Sequence, residues 1–410
     1  MAQTRAGLSF VVALATALYG ATVPAGNSDP APTRYPIAFT TSVTGTADLS
    51  TWSDAGGQTG TAAADAICQA RATAAGLANP QNFVAWLSTS TDDAYCRARQ
   101  ATGKKAVCES DPNNPDAGPW QRTDGVLAAG VLDDMVSDHV YVPLIVDEFA
   151  NDIAGFPAAW IATQPPGVLQ GTTCDDWSDA AGGSARLVSV FNTTWTTTGS
   201  GDCALERHLI CLESGRSAPP PELPPPADKR IAFITSSPGN GELGSWPQVD
   251  GGAAGMAAGD SICNTFAQDA SLPHAGSYKA WLSDGTTDAR DRFVNDGPIH
   301  RVDGFRVAYS MADLTKGTIE TTIHQSQAGD YLRNRAVWTG TMADGTAADD
   351  HCAGWTTTEA QGRRGTSYST TQNWTQGPIS VCASTNGYLY CIADVPVDNF
   401  FDDGLETGNF

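Results

Sequence analysis

The sequence repeats itself once, and that repetition limits its fold more than any other feature. Ile37-Ala38-Phe39-Thr40-Thr41-Ser42 returns as Ile231-Ala232-Phe233-Ile234-Thr235-Ser236. Ala66-Ile67-Cys68 returns as Ser261-Ile262-Cys263, and Ala85-Trp86-Leu87-Ser88 as Ala280-Trp281-Leu282-Ser283. Asp124-Gly125 matches Asp303-Gly304. Trp160 and Trp338 each stand fourteen residues before a cysteine that opens a C-x-x-W, Cys174 to Trp177 and Cys352 to Trp355. Trp195 answers to Trp374, and the closing pair Cys203 and Cys211 to Cys382 and Cys391. An ordered series of this kind is a domain duplication, because solenoid repeats run to only about 20–50 residues.

Between the copies, Ser217 to Pro226 holds six prolines in ten residues. Such a stretch favours an extended polyproline II strut rising about 3.1 Å per residue, so the copies are expected to be held apart as separate beads. The expected organisation is a leader over 1–25, one module over 35–213, a linker over 214–228, a second module over 229–394 and an acidic tail over 395–410. Arg5, the apolar run Leu8 to Ala21 and the small residues of Val23-Pro24-Ala25 read as a secretory signal cut after Ala25. The run is too short to span a hydrocarbon core of about 30 Å.

All ten cysteines follow that leader, and none forms a C-x-x-C pair. An even count in an exported chain reads as disulfides, and the long irregular spacings argue against zinc. Four cysteines per copy permit three pairings, among which spacing does not choose. The 23 Lys and Arg against 45 Asp and Glu give a net charge of −22. That balance repels phosphate backbones and anionic lipid, which excludes nucleic acid and membrane surfaces as main partners.

Within a copy, Ile231 to Ile234 is β-branched and aromatic and reads as an opening strand. Ile262, Phe266 and Ala270 recur at helical spacing over Gly255 to Ala270 and bring Cys263 beside the apolar face. Ala280 to Ser283, Ala336 to Gly340 and Gly387 to Ile392 read as further strands, and the Gly-, Thr- and Asp-rich stretch Thr341 to Pro378 as mostly loop. One helix followed by short strands is an α+β pattern.

The opening Ile-Ala-Phe strand, the helix with Ile262-Cys263, Lys279-Ala280-Trp281-Leu282-Ser283, Val337-Trp338-Thr339-Gly340, Cys352-Ala353-Gly354-Trp355-Thr356 and Tyr388-Leu389-Tyr390-Cys391-Ile392 together resemble an endostatin-like domain, which has a C-type-lectin-like fold. The same signature is similar to an uncharacterised domain of bacterial secreted proteins and lipoproteins. The resemblance covers both copies nearly end to end and is more complete in the second. It implies nested disulfides, Cys68–Cys211 around Cys174–Cys203 and Cys263–Cys391 around Cys352–Cys382. Cys96 and Cys108, which lack a counterpart in the second copy, are then left to pair with each other.

The sugar-binding triplets of calcium-dependent lectins, Glu-Pro-Asn-like and Trp-Asn-Asp-like, are absent: Gly377-Pro378-Ile379 has no oxygen ligand beside its proline, and Val188 to Trp195 has no acid. Endostatin's histidine-held zinc does not carry over, since Asn27 to Ile37 has no histidine, nor does its heparin-binding arginine surface, given the charge. Asp344, Asp349, Asp350 and His351 read as a solvated acidic loop rather than a cation site. No cofactor and no metal are expected.

No Gly-x-Ser-x-Gly elbow and no zinc-protease helix occur, and the six histidines share no position between copies. The expectation is a non-enzymatic binding or adhesion protein, secreted or held at the cell surface, that recognises an extracellular glycan or protein. A structural envelope or matrix component is the alternative, and a hydrolase with paired carboxylates the third reading. Trp86, Trp160, Trp177, Trp281, Trp338 and Trp355 are expected in the core. Trp195 and Trp374, in the Thr- and Gly-rich loops, are the candidate ligand-binding residues, as exposed platforms for stacking. Trp120 and Trp246 are weaker candidates. The ligand face would be the loops around Trp177 to Trp195 and Trp355 to Trp374. The tail motif Phe400 to Gly408 resembles a sorting signature of some exported Gram-negative proteins, and reads equally as an acidic end without structure. Asn192 and Asn373 head N-glycosylation patterns.

Overall fold

Each opening strand, Ile37–Thr40 and Arg230–Ile234, is buried along its whole length. Each pairs antiparallel with a closing strand, His208–Glu213 or Tyr390–Ala393, so that Phe39 faces Cys211 and Phe233 faces Cys391. On its other side each opening strand pairs in parallel with a strand carrying an arginine, Trp120–Arg122 or Ile299–Arg301. The chain then turns back at Asp124-Gly125 and Asp303-Gly304. Gly125 and Gly304 take φ values of 89° and 87°, a region glycine enters without steric cost, which explains why that dipeptide recurs. The structure, a computed structural model, describes residues 34–396 apart from 113–115, 138, 156, 197, 221–222 and 224–228. The leader over 1–25 and the tail from 397 onward lie outside the described residues.

The long helices form where the apolar spacing requires, Gly60–Ala74 and Gly255–Asp269. In the second, Ala258, Ile262, Cys263, Phe266 and Ala267 are buried along one stripe. Both helices use the same device to hold the neighbouring strand. Asp65 accepts the Ala85 N–H at 2.9 Å, and Asp260 accepts the Ala280 N–H at 2.9 Å. Cys68–Cys211 and Cys263–Cys391 then tie each helix to its closing strand.

A second group of strands completes each half. Ala158–Trp160, Ser184–Ser189 and Gly199–Asp202 extend the first sheet through a parallel pairing of Trp160 with Leu209. Their counterparts Ala336–Trp338, Gln361–Thr366 and Ile379–Val381 join Gly387–Tyr388 in a separate four-stranded sheet. The chain is thus α+β, with few helices, several small sheets and five disulfides. The remaining three are Cys96–Cys108, Cys174–Cys203 and Cys352–Cys382, so the pairing is the one the resemblance implied. Among the described residues no helix is long and apolar enough to cross a membrane.

Thr341 to Pro378 is mostly loop, as expected, but it also contains the six-residue strand Gln361–Thr366, flanked by pairing on both edges. Its sequence lacks β-branched residues before Thr366 because Gly362 and Gly365 let Cys352, Trp338 and the Trp374 backbone approach; a Cβ on Gly365 would lie 1.9 Å from the Trp374 carbonyl oxygen. The copies are also not separate beads. Both belong to one compact unit, and the chain leaving the first half stays on it: Ala218 donates its N–H to the Gly118 carbonyl at 3.0 Å, and Leu223 packs against the first core.

Candidate ligand groove at the junction of the halves

The Thr- and Gly-rich loops that follow strands Ser184–Ser189 and Gln361–Thr366 meet each other. Strand register fixes which positions correspond, since Leu187 lies opposite Trp160 as Arg364 lies opposite Trp338. Counting on from there, Phe191, Asn192 and Thr193 correspond to Tyr368, Ser369 and Thr370. Asn192 and Ser369 form an antiparallel bridge. Thr193 donates its N–H to the Tyr368 carbonyl at 3.3 Å, and Thr370 donates its N–H to the Phe191 carbonyl at 3.4 Å. Equivalent residues exchanging equivalent bonds is the self-complementary arrangement of a two-fold dimer, here within one chain.

A wider contact supports the bridge. Tyr141 stacks on Phe305 with ring centroids 5.1 Å apart and planes 11° apart. The fully buried Arg301 forms a two-bonded pair with Asp303 at 3.0 and 2.6 Å and also donates to the Tyr141 carbonyl at 2.7 Å. Thr321 donates to the same carbonyl at 2.7 Å, and the Thr193 and Thr322 hydroxyls lie 2.8 Å apart. Burial of this guanidinium is tolerated because the donors used here each meet an oxygen. His324 Nδ1 lies 2.7 Å from the Thr322 hydroxyl, and its pKa is held well below the ordinary histidine value, chiefly by burial and then by the Arg301 charge.

At this junction the two loops line a cleft of about 280 Å³. Ser189, Asn192 and Thr198 come from the first half, and Ser369, Thr371 and Asn373 from the second, with the half-buried rings of Phe191 and Tyr368 among them. The lining carries no charged side chain. Burial raises the Tyr368 phenol above its ordinary pKa, against the pull of Arg333, so it stays a neutral hydrogen-bonding group. Hydroxyls, amides and two aromatic rings suit a neutral, hydroxyl-rich or peptide-like ligand.

Trp195 and Trp374, expected as exposed platforms, are not platforms. Their exposures are 2% and 0%. Trp195 packs against Trp120 with centroids 6.1 Å apart, and its carbonyl accepts the Trp86 indole N–H at 2.6 Å. Trp374 lies 5.3 Å from Trp281 and 5.7 Å from Tyr390, centroid to centroid. Each is the large apolar group of a polar loop, and burying it anchors that loop to the core. The weaker candidates Trp120 and Trp246 are buried as well, as are the six tryptophans expected in the core.

The residues that do reach the groove, Phe191 and Tyr368, went unnoticed in the sequence. The available signal was positional, one aromatic at the matching place after each of two equivalent strands. Asp344, Asp350 and His351 serve separate local tasks. Asp344 caps Thr346, Asp350 lies 3.6 Å from Arg363, and His351 Nδ1 accepts the Gly354 N–H at 2.8 Å.

A scan against protein-family models finds no match to this chain, and a search of curated proteins finds none either.

Proposed function

We propose that this is an exported, non-enzymatic binding or adhesion protein built from two C-type-lectin-like, endostatin-like copies. It recognises an extracellular glycan or protein at the groove between the copies. The observation that carries this reading is the groove itself, made by the same loop taken twice and lined by uncharged hydrogen-bonding groups with two half-buried rings. Five disulfides suit an oxidising, extracellular location. Because both copies contribute to one groove, affinity comes from that shared groove rather than from two independently tethered sites.

Binding of the purified chain to a glycan array, and to extracellular protein extracts, tests the proposal. Asn373 is exposed and lines the groove, so Asn373→Trp fills it from the rim without touching the core. Loss of binding with an unchanged melting temperature is expected. Binding by the variant equal to that of the parent removes the groove as the ligand face.

The alternative, a structural envelope or matrix component, also has an observation in its favour. The edge strand Ile379–Val381 leaves Ile379 44% and Val381 57% exposed, an apolar edge of the kind that pairs between chains. Sedimentation of the parent and of Val381→Lys distinguishes the two: the structural reading requires self-association that the lysine abolishes.

A further inference from the structure

The second half has a feature that the first half lacks. Arg335 and Arg364 line one open cleft of about 250 Å³, with Asn334, Thr366, Asn386 and Tyr388 around them. The Arg335 guanidinium lies 5.5 Å from the Tyr388 ring centroid, and that of Arg364 lies 5.1 Å from the Trp338 ring centroid. Arg364 is further fixed by donating to the Asn386 side-chain oxygen at 2.8 Å, an atom that also accepts from the Ser384 hydroxyl at 2.6 Å.

Among the described residues neither guanidinium has a carboxylate within 4.0 Å. Arg335 Nε is enclosed and has no hydrogen-bond partner. In a chain with 45 acidic and 23 basic side chains, two neighbouring arginines without an acid are not explained by surface charge balance. Nor does the fold need them. The first half builds the same strand pair with Leu187 where Arg364 stands, opposite Trp160, and with Pro157 before its strand where Arg335 stands.

We propose that this cleft is a carboxylate-binding site, in which Arg335 and Arg364 together hold one carboxylate of a small ligand. Guanidinium groups offer planar, paired donors that match a carboxylate's two oxygens, and stacking on aromatic rings pre-orders them. The cleft is smaller than the roughly 300–1,000 Å³ of drug-sized sites, which suits one residue-sized acid. A long polyanion is disfavoured by the net charge of −22. The site is distinct from the junction groove and does not depend on the reading of that groove.

Ligand-observed NMR titration of the full chain tests the proposal with two acid probes and their neutral partners. One pair is methyl galacturonoside with methyl galactoside, the other N-acetylglycine with its amide. At least one acid is expected to bind ten-fold or more tightly than its neutral partner, and more weakly as salt rises; whichever acid does so identifies a sugar or a peptide source. Arg364→Leu and Arg335→Gln should each weaken that acid ten-fold. Arg364→Leu copies the arrangement already folded around Trp160, so its loss reports on the site and not on folding. Asn373→Trp should leave acid binding unchanged. Equal affinity for acid and neutral partner in both pairs, or unchanged affinity in both arginine variants, overturns the proposal.

Discussion

Thr193 and Thr370 hold the same place in the two copies, and each donates its backbone N–H across to the other half, at 3.3 and 3.4 Å. A bond and its symmetric partner close a short two-stranded contact whose edges neither half can satisfy alone. The same junction contains the stacked pair Tyr141–Phe305 and the buried Arg301, so backbone, apolar and charged contacts all couple the copies.

Coupling of that kind is measurable. Tyr141→Ala and Phe305→Ala, made singly and together, should give a coupling energy of about 0.5–1.5 kcal/mol in denaturant unfolding. The parent should unfold in one calorimetric transition. Strict additivity of the two changes, with two separate transitions, would return the copies to the status of independent beads.

Trp374→Ala should behave as a core truncation and not as the loss of a contact surface. The ring is fully buried against Trp281 and Tyr390, so its removal should cost about 3–5 kcal/mol of stability. Trp195→Ala, against Trp120, should fall in the same range. Urea midpoints check both. A variant that keeps the parent's midpoint would mean that the ring faces solvent after all.

Where the sequence spoke plainly, it spoke through order and period. The repeated Ile-Ala-Phe strand and the stripe Ile262-Phe266 are local patterns, and the structure bears them out. Strand Gln361–Thr366 was illegible because its stability comes from glycines that admit partners from elsewhere in the chain, a tertiary property. The fate of Trp195 and Trp374 was hidden for a related reason. Polar neighbours along the chain say nothing about which layer a loop folds onto. The junction groove depends on two segments far apart in sequence coming together, so only the paired aromatics Phe191 and Tyr368 hinted at it.

The inner disulfides close shorter loops than the outer ones, and the difference should show. Cys352–Cys382 spans 30 residues and Cys263–Cys391 spans 128. In the chain-entropy account, removing the first by paired alanines should cost about 3–4 kcal/mol and the second about 5 kcal/mol. The inner pair also opens a left-handed turn, with Cys352, Ala353, Gly354 and Trp355 at φ of 53°, 50°, 72° and 65°. Glycine adopts that region at least cost, so Ala353→Gly should hold stability level or raise it by up to about 1 kcal/mol. Thermal melts of the three variants give the order, and a larger loss from the inner pair than from the outer would contradict it.

Acidification should weaken the fold through two histidines, the buried His324 and the half-buried His208. His324 is held well below its ordinary pKa by burial and by the Arg301 charge, and His208 is lowered by burial against the pull of the Thr41 carbonyl. The sign follows from proton counts. Above the unfolded value of about 6.5 neither state carries the proton, and stability does not depend on these groups. Below it the unfolded chain takes up protons that the folded chain refuses, so stability falls by at most about 1.4 kcal/mol per pH unit for each histidine. Asp394, whose desolvation is outweighed by hydrogen bonds from Lys279 and the Asn295 and Val294 amides, sits below the ordinary aspartate value, and its stabilisation is lost only as pH falls beneath about 4. Urea midpoints between pH 7.5 and 5 should therefore drop for the parent and drop less steeply for His324→Gln. Parallel curves for the two proteins would show that His324 takes up its proton as readily in the folded chain as in the unfolded one.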